Sequence, residues 1–334
     1  MSSAGSTPTP PITVPKVEEL VGGSSTGRWE RYGILGVLLL LIGFMAVSAP
    51  NFVSIGNAFN VAQSVSVNAV LAAGMTVVIL TAGIDLSVGS IVAVSGVSTV
   101  IALNAGFNPV LAVALGLLAA GLAGLVNGAV IAYLLLPPFI VTLGGLTYLR
   151  GVAYSLTDAK PVPIDGPSPL EWLGSGAIAG VPVAVIVMAL TYVLFWFLLE
   201  RTRFGRHVYA VGGNPEAARL GGVKVRRILI QVYVISGLTA GLAGIMFAAR
   251  VRSGQVTAGE GYELDAITAV ILGGTSLFGG KGRIFGTLAG ALIIGVLSNG
   301  LILMGVPFYS QLIVKGIVVI LAVATDYLRT RRLG

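Results

Sequence analysis

No cysteine occurs among the 334 residues, which excludes disulfides, thiol nucleophiles and thiolate metal sites and says nothing about compartment. Histidine is almost as scarce. His207 stands alone, so neither a multi-histidine metal site nor a histidine-based catalytic triad can be assembled, and beside Arg203, Arg206 and Tyr209 it reads as part of a solvated loop. No Gly-x-Ser-x-Gly and no His-Glu-x-x-His is present, and Gly83-Ile84-Asp85 lacks the second glycine of the Gly-x-Gly-Asp found in intramembrane aspartyl proteases. A phosphate loop is missing too. Around Gly280-Lys281 that pattern needs glycine where Thr275 stands and serine or threonine where Gly282 stands, so no ATP, metal or other cofactor is expected on this chain, and Gly279–Gly282 reads as a tight turn. Charge is the largest shortage: 10% of residues are charged against 55% hydrophobic, with a mean hydropathy of +0.95. A soluble domain of this length needs a more charged surface, so the composition describes an all-α, polytopic membrane helix bundle and not an enzyme.

What charge there is falls between the apolar runs. The net charge of +7 therefore points to cytoplasmic loops under the positive-inside bias, not to nucleic acid. Residues 1–27, rich in Ser, Thr, Pro and Gly, lack the order of a signal peptide and are expected to form a disordered cytoplasmic tail, with the membrane domain over 28–328 and a second cytoplasmic tail over 329–334.

The spans follow from the uncharged runs. Gly33 to Ala49 is the first, and Phe59 to Gly83 is the second. Leu86 to Leu149 carries no charge and is long enough for three helices at roughly 20 residues each, with breaks expected at Asn104–Pro109 and Pro137-Pro138. The acidic segment Thr157 to Gly180 is expected outside. Pro182 to Leu199 is the sixth span, and Ile228 to Ala249 the seventh. Ala266 to Gly280 is too short for a straight span and is expected to be short or broken. Ile284 to Val306 and Tyr309 to Ala324 complete about ten spans, which puts both termini in the cytoplasm.

Small residues recur at four-residue spacing: Gly116, Ala120, Gly124 and Gly128 in the fourth span, Ala240, Gly244 and Ala248 in the seventh, Gly286 and Gly290 in the ninth. Such stripes let membrane helices pack backbone to backbone. Three echoes also suggest an internal duplication. Asp85-Leu86 answers Asp265-Ala266, Val126-Asn127-Gly128 answers Ser298-Asn299-Gly300, and Pro138-Phe139 answers Pro307-Phe308, in the same order and five spans apart. An odd offset inverts the second copy, the arrangement many transport proteins use to place a pathway between halves.

Two places carry candidate function. Residues 201–227 form a strongly basic interruption whose only acid is Glu216. Asn214 is suited to cap a helix of about six residues, Pro215 to open it, Glu216 to face its positive dipole end, and Gly221-Gly222 to stop it. So short a helix is unstable alone, so it must be held by its loop or docked on another protein. The second place lies within the bundle, where Gln63, Asn68, Asn127, Asn299 and Gln311 could line a path for an uncharged polyol or bond helix to helix. Asp85 is either a cap for the third span, accepting near Ser87, or an intramembrane proton or ligand group. Lys315 is a cation well inside the last span.

Taken together, AGIDLSVGS, GGNPEAARLGGV, TAGEGYELDAITAVILGGTSLFGGKGRIFGTLAGALI and QLIVKGIVVILAV resemble the permease subunit of ribose-type ABC importers, over about residues 30 to 325. The resemblance implies a homodimeric permease in the inner membrane of a prokaryote, embedded in lipid. It implies two ATP-binding cassette ATPases, which bring ATP and Mg, on one side and a periplasmic or lipid-anchored sugar-binding protein on the other. It also implies that Asn214, Pro215, Glu216, Ala217, Ala218, Arg219, Leu220 and Gly221 form the coupling segment that docks in the ATPase, although the Ile-x-Leu-Pro ending of other importer classes is missing. Which sugar is carried depends on the external protein, with ribose the first expectation. The rival expectations are an ion-coupled secondary transporter or channel, in which Asp85 would be central, and a membrane scaffold that recruits a partner through the basic loop.

Overall fold

The computed structural model describes residues 26–333, with side chains over 33–328. The expected N-terminal tail lies outside these residues up to position 25. In chain order the helices are α1 (Thr26–Ser48), α2 (Ile55–Leu80), α3 (Val88–Asn104), α4 (Pro109–Leu134), α5 (Pro138–Thr157), α6 (Glu171–Ser175), α7 (Val183–Arg201), α8 (Arg203–Gly213), α9 (Pro215–Leu220), α10 (Val225–Val251), α11 (Tyr262–Leu272), α12 (Ile284–Leu303) and α13 (Phe308–Leu333). Four two-residue strands complete the described elements: β1 (Val162–Pro163), β2 (Ala177–Ile178), β3 (Val181–Pro182) and β4 (Ser253–Gly254). By length and composition α2, α4, α5, α7, α10, α12 and α13 are able to cross a membrane, while Gly33–Ser48 and α3 are shorter apolar helices. α11 has 11 residues and ends in the turn that precedes α12. The last helix runs on through 329–333, where a tail was expected.

The helix ends follow local chemistry. Asn108 caps α4 by accepting from Leu111 N at 2.9 Å, and Pro109 occupies the first helical position. Pro137 and Pro138 separate α4 from α5, because the pyrrolidine ring at Pro138 removes a helical donor and restricts the residue before it. α2 ends at Leu80, and α3 does not begin until Val88, so Asp85 lies in an irregular crossing between them.

α2 is the best-buried span, with Val65 to Leu80 almost entirely enclosed by α10, α12, α7 and α11. α10 is the second central helix and packs on α4, α3 and α2. The small-residue stripes make these contacts. A Cβ on Gly237 of α10 would lie 2.5 Å from the Ala120 carbonyl oxygen of α4, and one on Gly124 would strike the Tyr233 carbonyl of α10. Gly286 and Gly290 of α12 meet the backbones of Gly273 and Ala269 in the same way. Between helices in lipid the attraction is packing, not exclusion of water, so removing side chains at the contact strengthens it.

α13 is little buried but is tied to α11 by an ion pair, Lys315 Nζ to Asp265 Oδ2 at 2.7 Å. At one end of the bundle β1 pairs antiparallel with β4, Val162 opposite Gly254 and Pro163 opposite Ser253, so the segment after α5 and the segment after α10 share a face. Arg252 strengthens that join through Glu171 at 2.9 Å.

Candidate functional site

The basic segment is more ordered than a loop with one short helix. α8 occupies most of its first half, a correction to the solvated-loop reading of His207. Thr202 caps it by accepting from Gly205 N at 3.3 Å, and Val208 and Val211 bury against the bundle. The apolar spacing of Phe204, Val208 and Val211 on one face carried this signal. At Gly212 α8 meets the membrane helices backbone to backbone. Gly212 lies directly on the Leu80 carbonyl at the end of α2, and Gly280 N donates to that same carbonyl at 3.0 Å. Gly279 and Gly280 take left-handed φ of 79° and 71°, the tight turn expected there, and this brings their backbone onto Ala82, Gly212 and Gly213. Tyr209 reaches the same turn, its hydroxyl donating to Gly282 O at 3.0 Å. Burial raises the Tyr209 phenol above its ordinary range, Glu200 adds to the rise and Arg283 offsets part of it.

α9 projects from the end of this platform. Asn214 Oδ1 accepts from Glu216 N at 3.0 Å and Ala217 N at 2.9 Å, and Pro215 needs no donor partner at the first position. The stop is a Schellman motif: Gly222, at φ 85°, donates to Arg219 O at 3.0 Å, and Val223 N reaches back to Ala218 O at 3.0 Å. Both ends are thus closed by local bonds. Ala218 alone of the helix faces inward, whereas Asn214, Pro215, Glu216, Ala217, Arg219, Leu220 and Gly221 are exposed. Arg219 grips Glu216 across one turn, Nη2 to Oε1 at 2.6 Å and Nε to Oε2 at 3.2 Å. That hydrogen bond and then the charge of Arg219 lower the Glu216 carboxyl below its usual range, although both groups are open to solvent. Leu220, 78% exposed, is an apolar knob at the tip of a charged helix.

Behind the platform lies a buried polar core. Asp85 is not the cap of α3, a position held by Ser87 without a side-chain bond. Its Oδ1 accepts from Ser87 N at 3.0 Å and Ser87 Oγ at 2.5 Å, and its Oδ2 accepts from Ser236 Oγ of α10 at 2.8 Å. Asn127 of α4 donates to Ser87 Oγ at 2.8 Å, and Tyr148 of α5 donates to Asn127 Oδ1 at 3.4 Å. One carboxylate therefore joins the crossing segment to α10, α4 and α5, and it has no ion-pair partner among the described residues. Asn299 stands apart from this group in a reciprocal amide pair with Asn57, at 2.9 and 3.0 Å. Gln311 donates to Val306 O at 2.8 Å. Gln63 is half-buried on α2, and Asn68 carries a buried Oδ1 without a partner among the described residues. Sequence spacing joined neither Ser236 nor Tyr148 to Asp85, because these partners come from separate helices.

The sequence pattern of the family described as "Branched-chain amino acid transport system / permease component" matches residues 57–323. Among curated proteins the chain is 49% identical over 292 residues to "Ribose import permease protein RbsC" of Escherichia coli, covering 86% of this chain and 91% of that protein. It is 46% identical over 301 residues to the protein of the same name in Bacillus subtilis, covering 90% and 94%. It is 40% identical over 302 residues to "D-allose transport system permease protein AlsC" of Escherichia coli, covering 90% and 92%. No solved structure gives a significant match.

Proposed function

The chain belongs to the branched-chain amino acid transport system / permease component family, and from that membership we propose that it is the membrane-spanning subunit of an ATP-driven importer whose cargo is a monosaccharide, ribose before others. It is a multi-pass protein of the bacterial inner membrane and not an enzyme by itself. The observation that carries the cargo is near-end-to-end identity of 49% and 46% to ribose import permeases, against 40% to the allose protein.

Two copies form the pathway, two ATPase subunits bind ATP and Mg below, and a sugar-binding protein docks above. α9 is the element each ATPase presses, and α8 passes the motion to α2 through Gly212 and Leu80. Ten helices cross or enter the membrane, with α1, α3 and α11 the short members, and both termini are cytoplasmic. Two groupings support this topology. The α2–α3 crossing, the basic segment and the Gly279–Gly282 turn gather at one end, and the segments joined by β1 and β4 gather elsewhere. Helix neighbours support the inverted repeat: α10 lies on α4 and α3 as α2 lies on α12 and α11, and α5 packs on α3 as α13 packs on α11.

Purifying the tagged chain from its own membranes tests the reading. A co-purifying ATPase stimulated by ribose-loaded binding protein is the expected result. A chain that emerges alone, with uptake following an ion gradient, overturns it.

Asp85 separates the same two mechanisms. In Asp85→Asn the amide oxygen still accepts from Ser87 and the amide nitrogen donates to Ser236 Oγ, so ATP-driven ribose uptake is expected to stay within about threefold of wild type. Asp85→Leu leaves Ser87 N and two hydroxyls short of partners in a dry site, costing about 1–3 kcal/mol and lowering the amount of folded protein in the membrane. Uptake abolished by the asparagine variant at normal protein level would instead make Asp85 a proton carrier.

A further inference from the structure

Between α10 and α11 the chain abandons helix, and residues 255–261 form a loop whose backbone is held from behind. Arg150 of α5 donates through Nη1 to Val256 O at 2.5 Å and to Ala258 O at 2.8 Å. Gly259, at φ 75°, lies backbone to backbone on Gly89 of α3. Val256 is buried at 4% exposure and stays out of the lining, whereas Gln255, Thr257, Ala258, Gly259 and Glu260 line a cavity of about 260 Å³. Phe247 of α10 and Tyr262 of α11 line the same cavity, their rings edge to face at 6.4 Å and 85°.

We propose that this cleft is a low-affinity binding site for a single neutral monosaccharide, a station between the external binding protein and the pathway; the inference rests on the importer reading and its topology. A sugar hydroxyl both donates and accepts. The Glu260 carboxylate accepts, the Gln255 amide does both, and so does the Thr257 hydroxyl. The aromatic corner of Phe247 and Tyr262 offers an apolar wall to the C–H face of a sugar ring. Size agrees, since pockets for drug-sized ligands run to roughly 300–1,000 Å³ and this one is suited to one pentose or hexose. A single carboxylate with a guanidinium behind the loop is poorly suited to a metal ion. Thr257 and Glu260 are exposed, so the site is shaped to pass a sugar on and not to retain it. Pinning the carbonyls by Arg150 means that binding orders little additional chain.

The test uses the full chain in lipid nanodiscs with D-ribose as the probe, followed by saturation-transfer NMR, and then the complete importer in proteoliposomes. Magnetisation transfer to the ribose ring protons is expected for wild type, with a loss of about tenfold when Glu260→Gln is combined with Gln255→Ala, and again in Tyr262→Ala. Tyr262→Phe keeps the ring and is expected to retain the signal, which guards against a variant that simply misfolds. In the importer the double variant is expected to lose ribose uptake by about tenfold while stimulation of the ATPase by loaded binding protein persists. No ribose signal from wild type, or unchanged uptake in the double variant, overturns the site. Loss of ATPase stimulation together with uptake also overturns it, assigning the cleft to protein docking. A wild-type chain that associates with no ATPase and carries no sugar sinks the importer reading itself, a result the cleft variants cannot mimic.

Discussion

Glu216→Arg is expected to abolish ATP-driven uptake, a fall of about 100-fold or more, while the chain still inserts in the membrane. The carboxylate sits in the first turn of α9, where the helix dipole favours a negative charge, and is held by Arg219 one turn on. The substitution puts a cation at the positive end of the dipole and faces it with a second cation three residues later, an unfavourable like-charge pair. It also inverts the charge at the centre of the exposed face of α9, where we propose that the ATPase docks. Insertion survives because α9 gives the bundle only Ala218. Ala217→Trp makes the same point by shape, since Ala217 is exposed and a large side chain there blocks close approach of a partner. Uptake of labelled ribose, set against the amount of chain in the membrane fraction, measures the effect. Normal uptake in both variants would show that nothing docks there.

Gly212→Val is expected to produce a different failure in which the ATPase remains bound and hydrolyses ATP but ribose uptake falls by about tenfold or more. A Cβ at Gly212 would strike the Leu80 carbonyl and lie 2.6 Å from Gly280 N. Both obstacles are backbone, so neither can rotate away, and overpacking of this kind costs about 1–3 kcal/mol or more. The exposed face of α9 is untouched. What moves apart is α8 from α2, whose apolar stretch is the most buried among the seven long spans. Gly213→Ala is the control, because a Cβ there meets nothing within 4 Å, and its uptake is expected to match wild type. ATP hydrolysis and uptake measured on the same proteoliposomes distinguish uncoupling from loss of docking. Uptake that follows hydrolysis in Gly212→Val would remove the α8–α2 contact from the force path.

The cap, the proline start and the double-glycine stop of α9 were legible because they act within a few residues of each other, and the structure closes each with the bond that residue type makes. The breaks at Asn108-Pro109 and Pro137-Pro138 were legible for the same reason. So were the small-residue stripes, whose four-residue period marks one helix face whatever packs on it. α8 was hidden by its charge, since the basic residues that mark a cytoplasmic segment also mask an amphipathic face of a few apolar side chains. The fate of Asp85 was hidden by distance. A cap or Asx turn can be read locally, but Ser236 lies 151 residues away on another helix.

Composition, caps, breakers and periodicity thus determined that this is a helical membrane protein, where its long helices run and that Pro215–Leu220 is a short, capped helix, because each depends on neighbours in the chain and on the cost of placing polar groups in lipid. Only the tertiary structure decided that Gly212 seats α8 on the end of α2, that Asp85 is a junction for four segments, that Lys315 pairs with Asp265, and that Arg150 shapes the loop beside Phe247 and Tyr262. Each of these joins residues that approach only after the helices have packed. A buried polar group takes whichever partner that packing brings within reach, and no local rule names it in advance.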